Sequence, residues 1–256
     1  MLSVVRRSPK LAPLWVLTRY TRLFRKDLTL DGIAGKFPQM IFDIHRVDGF
    51  GFKVRLFRPV DTIMVRGMTG EPFMAVTPHA GDTVLDIGAN LGAYTLRYSR
   101  LVGPRGKVHA FEPEPLTFRL LSFNIAFNHA GNATAFQEAV GDWNGTADFF
   151  ISPTVTNHSM VDRDPRARRI QVPLTTIDTF QEEHVPPDLV KIDVEGFEMN
   201  VLKGAAGTLT SRRPRLQVEV HHPHSDGCDV CSYLDGFGYR LEVLTRPGSR
   251  LHWVLG

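Results

Sequence analysis

The amino-acid sequence predicts an α/β fold in which a mostly parallel sheet of seven strands is covered by helices on both faces. From residue 83 onward, short apolar runs rich in β-branched residues alternate with helical segments, a pattern typical of a parallel sheet with crossover helices. The last two predicted strands are joined by RPGS, which is too short for a crossover helix. We therefore expect the chain to end in an antiparallel hairpin.

The predicted elements follow from the positions of the apolar runs and from the helical periodicity. The strands are expected near 83–88, 107–112, 134–140, 189–194, 215–220, 239–244 and 250–255. The helices are expected near 92–101, 116–128, 198–210 and 229–235. A doubly wound sheet with an antiparallel C-terminal hairpin is typical of class I Rossmann-like methyltransferases, whereas the dinucleotide-binding fold has a parallel sixth strand.

Two parts are expected in the chain. Residues 1–78 form an N-terminal extension with a basic helix and a β-hairpin, the latter because segments 40–47 and 52–57 alternate around an Asp-Gly turn. Residues 79–256 form the main domain. An insertion at about 142–178 contains two extended segments that flank a polar, arginine-containing stretch, which predicts a second β-hairpin.

Basic residues are concentrated at the N-terminus. The formal net charge is +3, but the first 26 residues contain seven basic and no acidic side chains, so the rest of the chain has a net charge of −4. A slightly acidic body argues against a nucleic-acid partner. Residues 13–26 predict a helix with a basic face, which favours a solvated face on a docked helix, with peripheral contact to an anionic membrane as the alternative.

The two cysteines, Cys228 and Cys231, are too few for a disulfide framework and fit a reducing compartment. We therefore predict a cytoplasmic protein with free thiols, with association at a membrane surface as the alternative. A single CxxC without a second pair does not indicate a zinc site. No apolar run approaches the roughly 20 residues that span a bilayer. The sequence gives no basis for predicting an oligomeric state.

The sequence TVLDIGANLGAYT at 83–95 predicts a cofactor site. Its apolar run forms a buried strand with Asp86 near the end, and Gly88 and Gly92 allow the next turn to approach a ligand closely. The spacing DxGxNxG differs from the GxGxxG of dinucleotide enzymes. The following strand ends in Glu112, where a carboxylate can accept hydrogen bonds from both ribose hydroxyls of a nucleoside.

Acidic residues at two adjacent strand ends favour a cationic cofactor. We expect Asp86 and Glu112 to lack a neutralising partner. A sulfonium with an amino-acid tail suits such a pair better than a pyrophosphate, which prefers helix N–H groups without nearby negative charge. The sequence therefore indicates S-adenosylmethionine as the cofactor.

Several motifs together resemble the FkbM family of S-adenosylmethionine-dependent methyltransferases. They are VLDIGANLGAYT, GKVHAFEPEP, a helix with Asn124 and Asn128, EAVGD, LVKIDVEGFE and RPRLQVEVH. The resemblance extends from about residue 71 to 222, and its most specific element is KIDVEGFE at 191–198. It implies a class I Rossmann-like fold and O-methylation of sugars or of natural-product hydroxyls.

The resemblance also implies which residues bind the cofactor. The methionine and turn region would be lined by Asp86, Gly88, Asn90, Gly92 and Thr95. Glu112 would bind the ribose, Val140 and Gly141 would lie near the adenine, and Glu71 would correspond to the family's GxxE element.

Four further side chains at two strand ends are candidates for the chemistry. Methyl transfer to a hydroxyl requires the acceptor oxygen, the methyl carbon and the sulfur in line, and removal of one proton. Suitable groups should lie at the carboxyl ends of the fourth and fifth strands, which face the cleft. The candidates are Asp193, Glu195, Glu219 and His221. Asp193 directly follows its strand and is also expected to contact the cofactor.

Two mechanisms are compatible with these residues. His221 could act as general base, because the reference pKa of histidine, about 6.5, suits proton transfer at neutral pH. Alternatively, Asp193 and Glu219 could hold Mg²⁺, which would lower the pKa of the acceptor hydroxyl. A reaction without metal, with His221 or a carboxylate as the base, is favoured. Capping of the following helix is an alternative role for Glu195 or Glu198.

The sequence as a whole predicts an O-methyltransferase that uses S-adenosylmethionine and acts on a hydroxyl of a sugar, a glycolipid or a glycosylated natural product. A nicotinamide-dependent oxidoreductase is one alternative, opposed by the DxGxNxG turn and by the lack of an obvious catalytic tyrosine-lysine pair. A non-catalytic cofactor-binding partner protein is another, opposed by the intact DxEG and VEVH strand ends.

Overall fold

The computed structural model describes residues 41–45, 51–55, 76–152, 159–161, 165–221, 228–245 and 252–256. The predicted basic helix at 13–26 and the predicted cofactor residue Glu71 lie outside these residues. Among the helices of the described part, none is long and apolar enough to cross a membrane.

Strands and helices alternate through most of the described chain. The strands are β1 (Ile41–His45), β2 (Gly51–Arg55), β3 (Thr83–Ile87), β4 (Lys107–Phe111), β5 (Ala133–Phe136), β6 (Ala139–Val140), β7 (Gly145–Ile151), β8 (Arg168–Thr175), β9 (Leu189–Ile192), β10 (Arg215–Val220), β11 (Glu242–Thr245) and β12 (His252–Leu255). The helices are α1 (Ala93–Val102), α2 (Pro115–Phe127), α3 (Ile177–Glu183), α4 (Glu198–Lys203), α5 (Ala206–Ser211) and α6 (Asp229–Asp235).

The central sheet has seven strands in the order β11-β12-β10-β9-β3-β4-β5. The five strands from β10 to β5 are parallel, whereas β12 runs antiparallel to both β10 and β11. This topology confirms the predicted α/β sheet and its antiparallel C-terminal hairpin. Separately, β1 and β2 pair antiparallel, which confirms the hairpin predicted at 40–57.

Helices cover both faces of the sheet because successive residues of a strand point to opposite sides. On one face, Val84 of β3 packs in a cluster with Tyr98 and Val102 of α1. On the other face, Leu85 and Ile87 belong to a cluster with residues of α4, α5 and α6. Both faces of β3 are therefore buried. The strand lies inside the sheet, between β9 and β4.

The elements of the structure differ from the predicted ones in three places. The strand predicted at 134–140 is divided into β5 and β6, which belong to different sheets. The helix predicted at 198–210 is divided at Gly204, where a Cβ atom would lie 1.8 Å from the carbonyl oxygen of Gly141, so the chain can pass only with glycine there. Helix α3 was not predicted, although Thr176 caps it by accepting a hydrogen bond from the backbone N–H of Thr179.

The insertion forms a small second sheet in the order β6-β8-β7. Strands β7 and β8 pair antiparallel over seven residue pairs, which agrees with the hairpin predicted there. The inward side chains Phe149, Val172 and Leu174 form its core. This sheet lies beside the carboxyl ends of the central strands, because β6 follows directly after β5.

The prediction of free thiols is wrong. Cys228 and Cys231 are joined by a disulfide in the structure, with their Cα atoms 5.1 Å apart. Cys228 is the N-cap of α6, and one helical turn brings the second cysteine within the Cα separation that a disulfide requires. Cysteine count alone did not reveal this local pairing.

Candidate active site

A cavity of about 100 Å³ lies at the carboxyl ends of the central parallel strands. This edge of the sheet is where such folds bind ligands. Six predicted site residues line it, namely Gly88, Asn90, Glu112, Val140, Asp193 and Glu195. The small sheet contributes Phe149, and Met160 covers the same opening.

The glycine turn after β3 passes very close to the strand end of β9. Gly88 has a φ of +75°, and a Cβ atom there would lie 1.8 Å from the carbonyl oxygen of Asp193. Gly92 caps α1 in a left-handed conformation, with a φ of 89°. Both positions thus need glycine, as the sequence predicted, and the close approach brings the DxGxNxG turn and the DxEG turn to one cavity.

Glu112 is held at the cavity wall by backbone donors on both sides. The N–H of Asn90 donates to Oε2 at 3.0 Å, and the N–H of Glu114 donates to Oε1 at 2.9 Å. Asn90 adopts a φ of 51°, which aims its N–H at the carboxylate. The side chain is therefore fixed in the position predicted for a ribose-binding carboxylate.

Asp86 lies outside the lining of the cavity and has close partners. The residue is fully buried, accepts a 2.6 Å hydrogen bond from Thr95 Oγ1 and lies 3.2 Å from the Lys191 Nζ. The expectation of a carboxylate without a neutralising partner is therefore wrong for Asp86. Together with Thr95 it lies behind the cavity wall, where the pair supports the glycine turn.

Lys191 is a buried residue beside the site that the sequence did not reveal. The residue is 1% exposed, and its ammonium group donates to the carbonyl oxygen of Gly88 at 3.0 Å and pairs with Asp86 at 3.2 Å and Asp193 at 3.4 Å. Burial lowers the pKa of Lys191, but the charges of Asp86 and Asp193 outweigh that effect and the pKa is raised. A lysine inside the apolar run LVKI was the available signal, because buried lysines require acidic partners.

Three of the four predicted catalytic side chains converge at the other end of the cavity. Ligand atoms of Asp193, Glu195 and His221 all lie within 4.8 Å of one another. His221 Nε2 is 3.3 Å from Glu195 Oε2 and 3.6 Å from Asp193 Oδ1. Because Glu195 has a φ of +53°, its turn brings the carboxylate back toward the histidine.

Glu198 completes the surroundings of the histidine. Its Oε1 accepts a 2.8 Å hydrogen bond from His221 Nδ1–H and a 2.7 Å hydrogen bond from the backbone N–H of Gly196. Glu198 lies in the first turn of α4, where a negative charge is favourable near the helix N-terminus. The carbonyl oxygen of Glu195 accepts a hydrogen bond from Ser159 Oγ at 2.8 Å, which links this turn to the insertion.

The expected pKa of His221 near 6.5 is wrong. Burial lowers the pKa of this imidazole, but hydrogen bonds to Glu195 and Glu198 and the charge of Asp193 raise it to about 11. An imidazolium has no lone pair with which to take a proton. In this arrangement His221 is therefore a hydrogen-bond donor at neutral pH.

Glu219 belongs to the same charged group, although it does not line the cavity. Burial and the neighbouring charge of Asp193 raise the pKa of Glu219 to about 8. Its coupling to Asp193 and His221 agrees with the prediction that the strand ends of β9 and β10 bring these side chains together.

Two predicted cofactor residues, Val140 and Gly141, lie where β6 meets the central sheet. Val140 is buried and lines the cavity. A Cβ atom at Gly141 would lie 2.9 Å from the ring of Phe197, which also lines the cavity. Gly141 therefore allows this aromatic ring to pack closely behind the cavity wall.

Comparison with known proteins agrees with this geometry. The family described as the methyltransferase FkbM domain matches residues 86–241, from the glycine turn to the end of β10 and beyond. The crystal structure of a methyltransferase FkbM from Methylobacillus flagellatus KT is similar in fold, with a TM-score of 0.56 and 17% identity. That match covers 74% of this chain but only 48% of the other, so this chain spans about half of its length.

Two sequence relatives have described activities. The 31-O-demethyl-FK506 methyltransferase FkbM of Streptomyces tacrolimicus is 29% identical over 209 residues, which cover 68% of this chain and 80% of the relative. The hexuronic acid methyltransferase AglP of Haloferax volcanii is 26% identical over 183 residues, which cover 70% and 74% of the two chains. With a family match over more than half of its length, the chain belongs to the FkbM methyltransferase family.

Proposed function

We propose that this protein transfers a methyl group from S-adenosylmethionine to a hydroxyl of a sugar or glycolipid. The observation that carries the proposal is one cavity that is lined both by Glu112 and by Asp193 and Glu195. Glu112 is fixed there by two backbone donors. A nucleoside would bind on the side of Glu112, which we call the cofactor end, and a reacting hydroxyl on the side of Asp193 and Glu195, which we call the acceptor end.

The cofactor would lie along the glycine turn. Glu112 would accept hydrogen bonds from the ribose hydroxyls, and the apolar side chain of Val140 would contact the adenine. The turn from Gly88 to Asn90 would lie beside the amino-acid tail. S-adenosylmethionine supplies the reactive methyl group, whereas the protein supplies binding, orientation and charge.

The acceptor would enter between the DxEG turn and the small sheet. Asp193 and Glu195 face this part of the cavity, and Phe149 and Met160 close it on the side of the insertion. Two relatives support an oxygen acceptor, since one is named for a 31-O-demethyl compound and the other for a hexuronic acid. An apolar wall opposite carboxylates suits a sugar ring, which has apolar faces and polar edges.

Methyl transfer here is an in-line displacement. The acceptor oxygen forms a bond to the methyl carbon as the carbon–sulfur bond breaks, and the electron pair of that bond passes to the sulfur. The hydroxyl proton must leave at the carboxylate end of the cavity. His221 does not take this proton in the arrangement described, because its raised pKa keeps the ring protonated at neutral pH.

A labelled-methyl assay tests the proposal. The full chain is incubated with S-adenosylmethionine labelled at the methyl group and with a panel of neutral sugars, hexuronic acids and glycolipid extracts. We expect label in a methyl ether of at least one sugar, and Glu195→Gln should reduce turnover while cofactor binding persists. Oxidation of an acceptor with NAD would indicate the alternative oxidoreductase. Binding of S-adenosylmethionine without transfer to any acceptor would indicate a non-catalytic binding protein.

A further inference from the structure

We propose that Asp193, Glu195 and His221 form a site for a divalent metal ion at the acceptor end of the cavity. The site differs from the pair Asp193 and Glu219, which the sequence offered as a metal-binding alternative that was not favoured, because Glu219 is not part of the converging group. The catalytic role of the ion rests on the proposed methyl transfer, whereas its binding can be measured independently.

The spacing of the three side chains suits a shared ion. Two ligand atoms that each lie about 2.1 Å from one ion are roughly 3.0 to 3.4 Å apart when they meet it at octahedral or tetrahedral angles. His221 Nε2 lies 3.3 Å from Glu195 Oε2 and 3.6 Å from Asp193 Oδ1. These two distances are close to that range, and the ligand atoms of all three side chains lie within 4.8 Å of one another. An ion that binds between them displaces the proton of His221 Nε2.

Two of the three proposed metal ligands, His221 and Asp193, are oriented by buried side chains that do not belong to the metal site. Glu198, whose side chain is 5% exposed, accepts the Nδ1–H of His221 and so directs Nε2 toward the two carboxylates. Lys191 holds Oδ2 of Asp193 at 3.4 Å, while Oδ1 faces the histidine. A carboxylate that orients a metal-binding histidine is a common second partner in metal sites.

The ligand set indicates the class of metal. One imidazole nitrogen and two carboxylates suit Mn²⁺ or Zn²⁺, whereas Ca²⁺ prefers oxygen ligands alone. Three protein ligands leave coordination positions open, as in catalytic sites. Because Asp193 and Glu195 line the cavity, these positions would face the acceptor.

The ion would give the acceptor hydroxyl a way to lose its proton. A hydroxyl that binds the ion has a lowered pKa and releases its proton to water. The resulting oxygen then forms the bond to the methyl carbon while the carbon–sulfur bond breaks and its electrons pass to sulfur. The products are a methyl ether, S-adenosylhomocysteine and the proton released to water.

Titration with Mn²⁺, followed by electron paramagnetic resonance of the free ion, tests the site. The full chain is first treated with a chelator and then titrated without cofactor. We expect saturable binding that is weakened at least about tenfold by Glu195→Gln or His221→Gln, and about 10- to 100-fold by Glu198→Gln. Glu182→Gln is the matched control, because Glu182 is exposed on α3 and does not line the cavity, so its replacement should not change the binding.

Circular dichroism confirms that each variant is folded, and the isosteric Glu195→Gln keeps the test valid if a histidine variant does not fold. Binding that is absent, or equal in wild type and variants, overturns the site. Full methyl transfer by the chelator-treated chain overturns the catalytic role and leaves the proposed function intact. Specific Mn²⁺ binding by a chain that transfers no methyl group supports the site and contradicts the function.

Discussion

The two ends of the cavity differ in how their charges are balanced. At the cofactor end, Glu112 is held by two backbone N–H groups, and Asp86 is paired with Thr95 and Lys191. At the acceptor end, several carboxylates surround His221, and the pKa values of Glu219 and His221 are raised to about 8 and about 11.

This difference indicates separate tasks for the two ends. A carboxylate with fixed donors keeps one position and one charge, which suits a cofactor that is bound in the same way in every cycle. A crowded group of acids around one histidine changes its protonation when a ligand or ion enters. The cofactor end is therefore preorganised, and the acceptor end responds to what it binds.

Replacing Lys191, the buried cation that contacts both Asp86 and Asp193, should have the largest effect on the unfolding free energy. Lys191→Met leaves buried Asp86 without its cation, and breaking such a buried pair costs about 3 to 5 kcal/mol of unfolding free energy. Urea unfolding measures the loss. Lys203→Met is the matched control, because Lys203 is exposed on α4. A loss below about 1 kcal/mol for Lys191→Met would show that the ion pairs of Lys191 with Asp86 and Asp193 do not stabilise the fold.

The close approach between the turn at Gly88 and the strand end at Asp193 predicts the second-largest loss of stability. Gly88→Ala would place a Cβ atom against the carbonyl oxygen of Asp193 and force a positive φ on alanine, so we expect a loss of about 3 kcal/mol. Gly131→Ala should change the unfolding free energy by less than about 0.5 kcal/mol, because a Cβ atom there meets nothing within 4 Å. Equal stabilities of the two variants in urea would contradict the close approach.

Neutralising the fixed carboxylate should weaken cofactor binding more than stability. Glu112→Gln removes the charged acceptor for the ribose hydroxyls, which corresponds to about 1.5 to 3 kcal/mol, or roughly 10- to 100-fold in affinity for S-adenosylmethionine. Isothermal titration calorimetry measures this. Glu182→Gln, on the exposed side of α3 and outside the cavity, should retain wild-type affinity. If both variants bind equally well, Glu112 is not the ribose ligand.

The acceptor end should make stability depend on pH. Both raised groups bind their protons more tightly in the folded state, so the unfolding free energy falls as pH rises. The loss occurs between about 4.5 and 8 for Glu219 and between about 6.5 and 11 for His221.

Urea unfolding in the presence of a chelator checks this dependence. Between pH 8 and pH 11, His221→Gln should flatten the curve by at most about 1.4 kcal/mol per pH unit relative to wild type. Identical slopes would show that His221 is not held in its protonated form.

The cofactor end could be predicted from the sequence because its features are local. The strand, the positive-φ glycines and the strand-end Glu112 all follow from residue type and spacing within two short segments. The central sheet was predictable for the same reason, as its strands are separate apolar runs. The split at Gly204 was not, since it depends on contact with Gly141, more than 60 residues earlier.

The acceptor end could be predicted only in part. Strand alternation correctly placed Asp193, Glu195 and His221 near one another, but it gave neither distances nor protonation. The pKa of His221 depends on Glu198, which reaches it from another element, and on burial that no short segment specifies. The sequence does not reveal the partner of Asp86 for a related reason. Lys191 lies opposite Asp86 in the pairing of the neighbouring strands β3 and β9, which are far apart along the chain.

The most direct test of the account is calorimetry of the full chain with S-adenosylmethionine, S-adenosylhomocysteine and NAD. The account predicts that the first two bind at a single site, that Glu112→Gln weakens both, and that NAD does not bind. Binding of NAD alone would contradict it, because the fixed carboxylate and the glycine turn would then serve a dinucleotide.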